Sequence, residues 1–120
     1  MVSSIRSFED LDVWQCAQEL AVAVYQLTKT YPKDEQYTLV SQMRRAVTSI
    51  SANIAEGFGR SASNDKRHFY TIAYGSLLET KNFLYLSEKL GFINTDQLQD
   101  LLAQTTSCQK MLNAFRKGLR

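Results

Sequence analysis

The sequence predicts an all-α protein, an antiparallel up-down-up-down four-helix bundle, and three observations carry that expectation. Apolar residues recur at three- and four-residue steps through four long segments. The breaks between these segments fall at Pro32, at the Gly57 and Gly59 pair and at Gly91, and no strand-like alternation of apolar and polar residues competes anywhere. The connections are short, so sequential helices must lie antiparallel.

The first helix is predicted over 11–31, with Leu11, Trp14, Ala17, Leu20, Val24, Leu27 and Tyr31 on one stripe. Asp10 or Asp12 suits its positive end, and it stops before Pro32, which disfavours helical geometry in the preceding residue. The second, over 38–57, carries Val40, Met43, Val47, Ile50 and Ile54 until Gly57 and Gly59 supply a left-handed cap. The third, over 63–90, opens after Ser61 or Ser63 and sets Phe69, Ile72, Ser76, Glu79, Phe83, Leu86 and Leu90 on its inward stripe before Gly91 ends it. The fourth, over 95–117, starts behind the capping box Asn94-Thr95-Asp96-Gln97 and continues through Leu98, Leu101, Leu102, Cys108, Met111, Leu112 and Phe115. Trp14, Val47, Ile50, Ile54, Ile72 and Phe83 are the expected core.

One domain accounts for all 120 residues, a size that buries roughly two thirds of the surface exposed by the unfolded chain. The hydrophobic share of 44% with a single proline and five glycines is that of a regular globular chain. Cys16 and Cys108 both fall inside predicted helices and read as small core hydrophobes, not as a secreted disulfide framework. The stretch from Met1 to Asp10 lacks the apolar run of a signal peptide, and no segment approaches about 18 uninterrupted apolar residues. A bacterial, cytoplasmic protein without a membrane partner is expected.

The chemistry-bearing residues assemble no catalytic signature. A di-iron bundle needs two Glu-x-x-His motifs, and His68 is the single histidine, following Lys66-Arg67 at a helix start. Glu56 and Glu79 lie on neighbouring helices, separated axially by roughly 20 Å at 1.5 Å per residue, too far for joint acid-base work. Gly57-Phe58-Gly59-Arg60 ends a helix where a phosphate loop would follow a strand. No nucleophile elbow accompanies the serines. The expectation is a non-enzymatic protein with no cofactor, no metal and no small-molecule substrate.

Charge is nearly balanced, at +2, but bundle topology redistributes it. Arg6, Arg60, Lys66, Arg67, Arg116, Lys117 and Arg120 all belong to one end, together with Glu9, Asp10, Asp12, Glu56 and Asp65. Of these, Arg60, Lys66, Arg67, Arg116, Lys117 and Arg120 are the candidate nucleic-acid contacts. A ring of parallel subunits would repeat that end, and phosphate affinity rises steeply with simultaneous contacts. A hairpin turning near Ser61 sets Arg44 and Arg45 level with Glu79, whose place in an apolar stripe calls for an arginine partner. The runs Leu20 to Tyr25 and Phe83 to Leu86 are apolar on more sides than one bundle can bury, which points to self-association.

Several motifs fall in order along the chain: Phe8-x-x-Leu11-x-Val13-Trp14-Gln15, Gln42-x-Arg44-Arg45-Ala46, Ser49-Ile50-x-x-Asn53-Ile54-Ala55-Glu56-Gly57-x-Gly59-Arg60 and Ile72-Ala73-x-Gly75-Ser76-x-x-Glu79. From about Phe8 to Leu90 the chain closely resembles the four-helix-bundle proteins encoded within 23S rRNA intervening sequences. That resemblance implies a small bacterial bundle assembling as a ring-like homo-oligomer, a pentamer. A related branch, the accessory proteins of diversity-generating retroelements, binds a reverse transcriptase and structured nucleic acid through basic surfaces, and this chain departs from it in being only mildly basic. Arg44, Arg45, Asn53, Glu56, Gly57, Gly59, Arg60, Gly75, Ser76 and Glu79 match the family motif and are assigned to packing, capping and assembly. Two functions are therefore expected: an oligomeric adaptor that binds RNA or a nucleic-acid enzyme, or a structural homo-oligomer with a protein partner.

Overall fold

A computed structural model describes residues 5–119 and contains four helices, α1 (Asp12–Thr28), α2 (Leu39–Phe58), α3 (Ser63–Lys89) and α4 (Thr95–Lys117). Short 3-10 turns, Phe8–Asp10 and Lys33–Glu35, precede α1 and α2. Helices neighbouring in sequence pack side by side and α4 closes against α1, while the diagonal pairs stay apart. The bundle measures 46 × 28 × 19 Å.

Each boundary has a local cause. Leu11 and Gln15 start α1 behind the turn in which Asp10 accepts the backbone N–H groups of Arg6 and Ser7. The helix ends at Thr28, three residues before Tyr31, because the chain tightens there into Thr30 N–H to Leu27 and Tyr31 N–H to Thr28 bonds on its way to Pro32. The Asn94 capping box forms as expected: Gln97 N–H donates to Asn94 Oδ1 at 2.8 Å, and Asn94 N–H donates back to Gln97 Oε1 at 2.9 Å. Gly91, at φ 80°, closes α3 with Gly91 N–H to Glu88 and Phe92 N–H to Ser87, the paired bonds of a left-handed cap.

Two cap expectations are corrected. Gly59 ends α2 at φ −77°, in the right-handed region, and Gly57 is a buried residue inside the helix. At the start of α3 the cap position is Ala62, which offers no side-chain acceptor, so neither Ser61 nor Ser63 caps it.

The core of α1, α2 and α4 follows the predicted stripes except at Met111, which is exposed while Thr105 takes an inward position on α4. Ala17, Leu20, Val24, Met43, Val47, Ile50, Ile54, Leu98, Cys108 and Leu112 are buried, with Trp14 and Phe83 packed at the margin. On α3 the stripe is rotated by about one residue: Tyr70, Ala73, Leu77, Thr80, Leu84 and Ser87 face inward, while Ile72, Leu86 and Glu79 lie at the surface. Ile72, 39% exposed, is therefore not a core residue. The cause is steric and polar together. Small side chains on the inner face let α2 approach closely, and their hydroxyls are satisfied within the helix, Thr80 Oγ1 donating to Ser76 O at 2.9 Å and Ser87 Oγ to Phe83 O at 2.8 Å.

Of the glycines, Gly57 stands in the tightest surroundings. A Cβ there would stand 2.7 Å from Tyr70 Cε1 and 2.8 Å from Phe69 Cβ, whereas one at Gly75 would meet nothing within 4 Å. Alanine gains about 1 kcal/mol over glycine in a helix interior, so the two substitutions should diverge in sign. Gly75→Ala is expected to stabilise the chain by about 0.5–1 kcal/mol in urea unfolding. Gly57→Ala should destabilise it by about 1–3 kcal/mol through overpacking.

Candidate functional site

The turn between α2 and α3 meets the end of α4, and this gathers the predicted cations. Tyr70 at the start of α3 packs edge-on against Phe115 near the end of α4, ring centroids 4.8 Å apart. Around that contact four of the cations have partners of their own. Lys66 Nζ donates to the Phe58 carbonyl at 2.7 Å and lies over the Phe58 ring, so it neutralises the exposed carbonyls at the end of α2. Arg60 pairs with Glu56 at 3.2 Å and stacks on Phe69. Arg67 donates to Asn64 Oδ1 at 2.9 Å, and Arg116 stacks on Tyr74. Lys117 and Arg6 are exposed, and Arg120 lies outside the described residues. Guanidinium groups held over aromatic faces keep most of their N–H donors outward.

The motif residues divide by location. Asn53 Nδ2 donates to Ser49 O and Ser49 Oγ, and Ser76 Oγ donates to Ser49 Oγ at 2.9 Å, a polar bridge from α2 to α3. Gln18 Nε2 to Ser51 Oγ at 3.0 Å and Gln109 Nε2 to Tyr74 Oη at 3.2 Å join α1 to α2 and α4 to α3 in the same way. The expected ion pair of Arg44 or Arg45 with Glu79 does not form. Glu79 and Arg45 are exposed, and Arg44 turns to α1, where Nε donates to Thr28 Oγ1 at 3.1 Å and the guanidinium covers Tyr25 at 4.4 Å. Rotation of α3 puts Glu79 in water, where a carboxylate needs no partner.

A shallow apolar groove of about 600 Å³ runs along the seam of α1 and α2, walled by Trp14, Ala21, Val22 and Tyr25 on one side and Ala52 and Ala55 on the other. Val22 is 60% exposed beside it. Sequence reading found the α1 wall from its surplus of apolar residues. It missed the α2 wall, because two alanines carry no hydrophobic excess.

Among the described residues no group of three His, Cys, Asp or Glu side chains could hold a metal ion, and no helix is long and apolar enough to cross a membrane. His68 is exposed, with Phe69 as its ring neighbour. The molecule is thus defined as a four-helix bundle whose distinctive features are surfaces: a basic pole, an apolar groove and polar bridges between helices. Residues 9–114 match the family described as 23S rRNA-intervening sequence protein, and the chain belongs to that family. It is also similar to a crystal structure from Bacteroides thetaiotaomicron VPI-5482, described as a protein with unknown function from the S23 ribosomal protein family. The two share 26% identity at a TM-score of 0.81, over 88% of this chain and 95% of that one. No curated protein matches the chain.

The two cysteines meet across the seam of α1 and α4. Burial, and then the adjoining Cys16 thiol, push the Cys108 thiol well above its usual range, whereas Cys16 is half-buried and lines an open groove. A thiol raised by folding lends stability that is intact below the unfolded value of about 8.5 and is lost as pH climbs beyond it. At pH 8 a thiol reagent should therefore label Cys16 alone, with Cys108 reacting only on unfolding. Raising the pH above about 9 should destabilise the parent more than Cys108→Ala. Equal labelling of both thiols in the native protein would contradict the assignment.

Proposed function

We propose that this chain is a non-enzymatic, self-associating bundle, a homopentamer by its family resemblance, that serves as an assembly module. The observation that carries the proposal is apolar surface on two separate parts of the molecule: the α1–α2 groove around Val22 and Tyr25, and the outer face of α3 with Leu78, Tyr85 and Leu86. Two unlike patches on one subunit favour a head-to-tail contact that closes into a ring, not a two-fold dimer. Sedimentation at micromolar concentration should report an oligomer, and Val22→Glu should shift it toward monomer while circular dichroism stays helical. A monomeric parent chain would defeat the proposal.

A second reading, in which the assembly also holds structured RNA, is favoured by the gathering of Arg60, Lys66, Arg67, Arg116 and Lys117 at one end. Repetition of that end around a ring multiplies phosphate contacts. Binding of this kind is weakly sequence-specific and strongly salt-dependent. Replacing Arg60 and Arg67 together by glutamine should weaken RNA binding and flatten its salt slope by roughly 0.7–0.9 for each phosphate that is no longer neutralised, leaving the oligomer intact. Absence of RNA binding by the parent chain at about 50 mM salt would leave a protein-binding structural oligomer.

A further inference from the structure

We propose that the corner where α1 passes into α2 binds a phosphate group, held by Lys29, Lys33 and Arg44. The three side chains line a cavity of about 270 Å³ together with Thr28 and Gln36, and no carboxylate lines it. This corner lies at the end of the bundle opposite the basic pole, since it joins the end of α1 to the start of α2.

Arg44 is the anchor. Thr28 Oγ1 accepts its Nε–H at 3.1 Å, the Tyr25 carbonyl accepts from Nη2 at 3.4 Å, and the Tyr25 ring lies beneath the guanidinium. Thr28 is itself fixed, its hydroxyl donating to Val24 O at 2.8 Å. The fork is therefore preorganised, and these contacts use two of its five N–H donors. Among the described residues no carboxylate oxygen comes within 4 Å of a charged nitrogen of Arg44, Lys29 or Lys33, the one ion pair there being Arg60 with Glu56. Of the two acids in this turn, Asp34 is exposed and lines no part of the cavity, and Glu35 accepts the hydroxyl of Thr38 at 2.9 Å.

The partners that hold Arg44 are a hydroxyl, a carbonyl and a ring, none of them charged, so its positive charge is not neutralised in the cavity it shares with two lysines, and an anion is the ligand that would neutralise it. Three cations lining one cavity suit a group with several terminal oxygens and a double negative charge. A rigid arginine fork beside flexible point charges is the combination that fits a phosphomonoester better than a flat, singly charged carboxylate. The phosphate could belong to a small phosphorylated molecule or to the 5′ end of an RNA.

The test follows the full-length chain by nitrogen-15 NMR during addition of inorganic phosphate, with chloride holding ionic strength constant. Saturable shifts are expected at the backbone of residues 28–36 and at the Arg44 Nε–H. Lys29 and Lys33 are exposed, so K29Q/K33Q should keep the helical spectrum of the parent while binding phosphate at least about tenfold more weakly, the loss of 1.4 kcal/mol or more. Arg44→Gln should lose the site, and the Arg60 and Arg67 double variant should retain it. A second arm compares one single-stranded RNA carrying a 5′-phosphate or a 5′-hydroxyl. A preference for the phosphorylated end that K29Q/K33Q abolishes supports an RNA terminus, and phosphate binding without that preference supports a small phosphorylated molecule. Shifts that do not saturate, or that are equal in the parent and K29Q/K33Q, overturn the proposal.

Discussion

The close approach of α2 to α3 is the constraint on which the rest of the molecule depends. Gly57 leaves room for Tyr70 and Phe69 to lie where a side chain would otherwise stand, and Ala73, Ser76 and Thr80 continue the narrow interface along α3. Once the two helices meet through small residues, the larger side chains of α3 are directed to its flanks. Tyr70 turns to Phe115 and thereby docks α4, while Phe69 receives the Arg60 guanidinium. The polar bridge Asn53–Ser49–Ser76 sits within the same interface and fixes its axial register.

That register decides how the charges are used. Glu79, turned outward, is screened by water and leaves Arg44 without the partner that its position beside α3 suggested. Arg44 engages α1 instead, on the opposite flank of α2. At the other pole Arg60, Lys66, Arg67 and Arg116 are tied down one by one, to a carboxylate, to the end of α2, to an asparagine and to aromatic rings. An arginine stacked on a ring is held in place yet still donates outward, so local satisfaction and availability to a phosphate are compatible. The net charge of +2 conceals this sorting of charge between two ends of an elongated bundle.

The polar residues in the core share one device. Thr28, Thr80, Ser87 and Thr105 are buried, and each returns its hydroxyl to a carbonyl one turn earlier in its own helix. A hydroxyl satisfied in this way behaves toward its neighbours as a small, nearly apolar group. Such positions break the hydrophobic spacing on which a stripe is read without breaking the packed face itself. This is why the reading of α3 slips by one residue, while α2, whose inner face is almost purely aliphatic, is read correctly.

The sequence by itself determined the number and approximate limits of the helices, their antiparallel order, the Asn94 and Gly91 caps, the inner faces of α1 and α2 and, apart from Met111 and Thr105, that of α4. These follow from local propensity, capping chemistry and periodicity, which neighbouring residues express without help from the rest of the chain. The motif residues that carry the family resemblance were equally legible, as was the gathering of cations at one pole, because bundle topology alone dictates it. Only the tertiary structure decided the rotation of α3, the role of Gly57 as a point of close contact, the two-sided groove of α1 and α2, and the cavity that Lys29 and Lys33 share with Arg44. Each depends on which small residue meets which neighbour across a helix interface. Apolar periodicity records that a face is buried, but not how closely its partner approaches or which way a long side chain turns once it has.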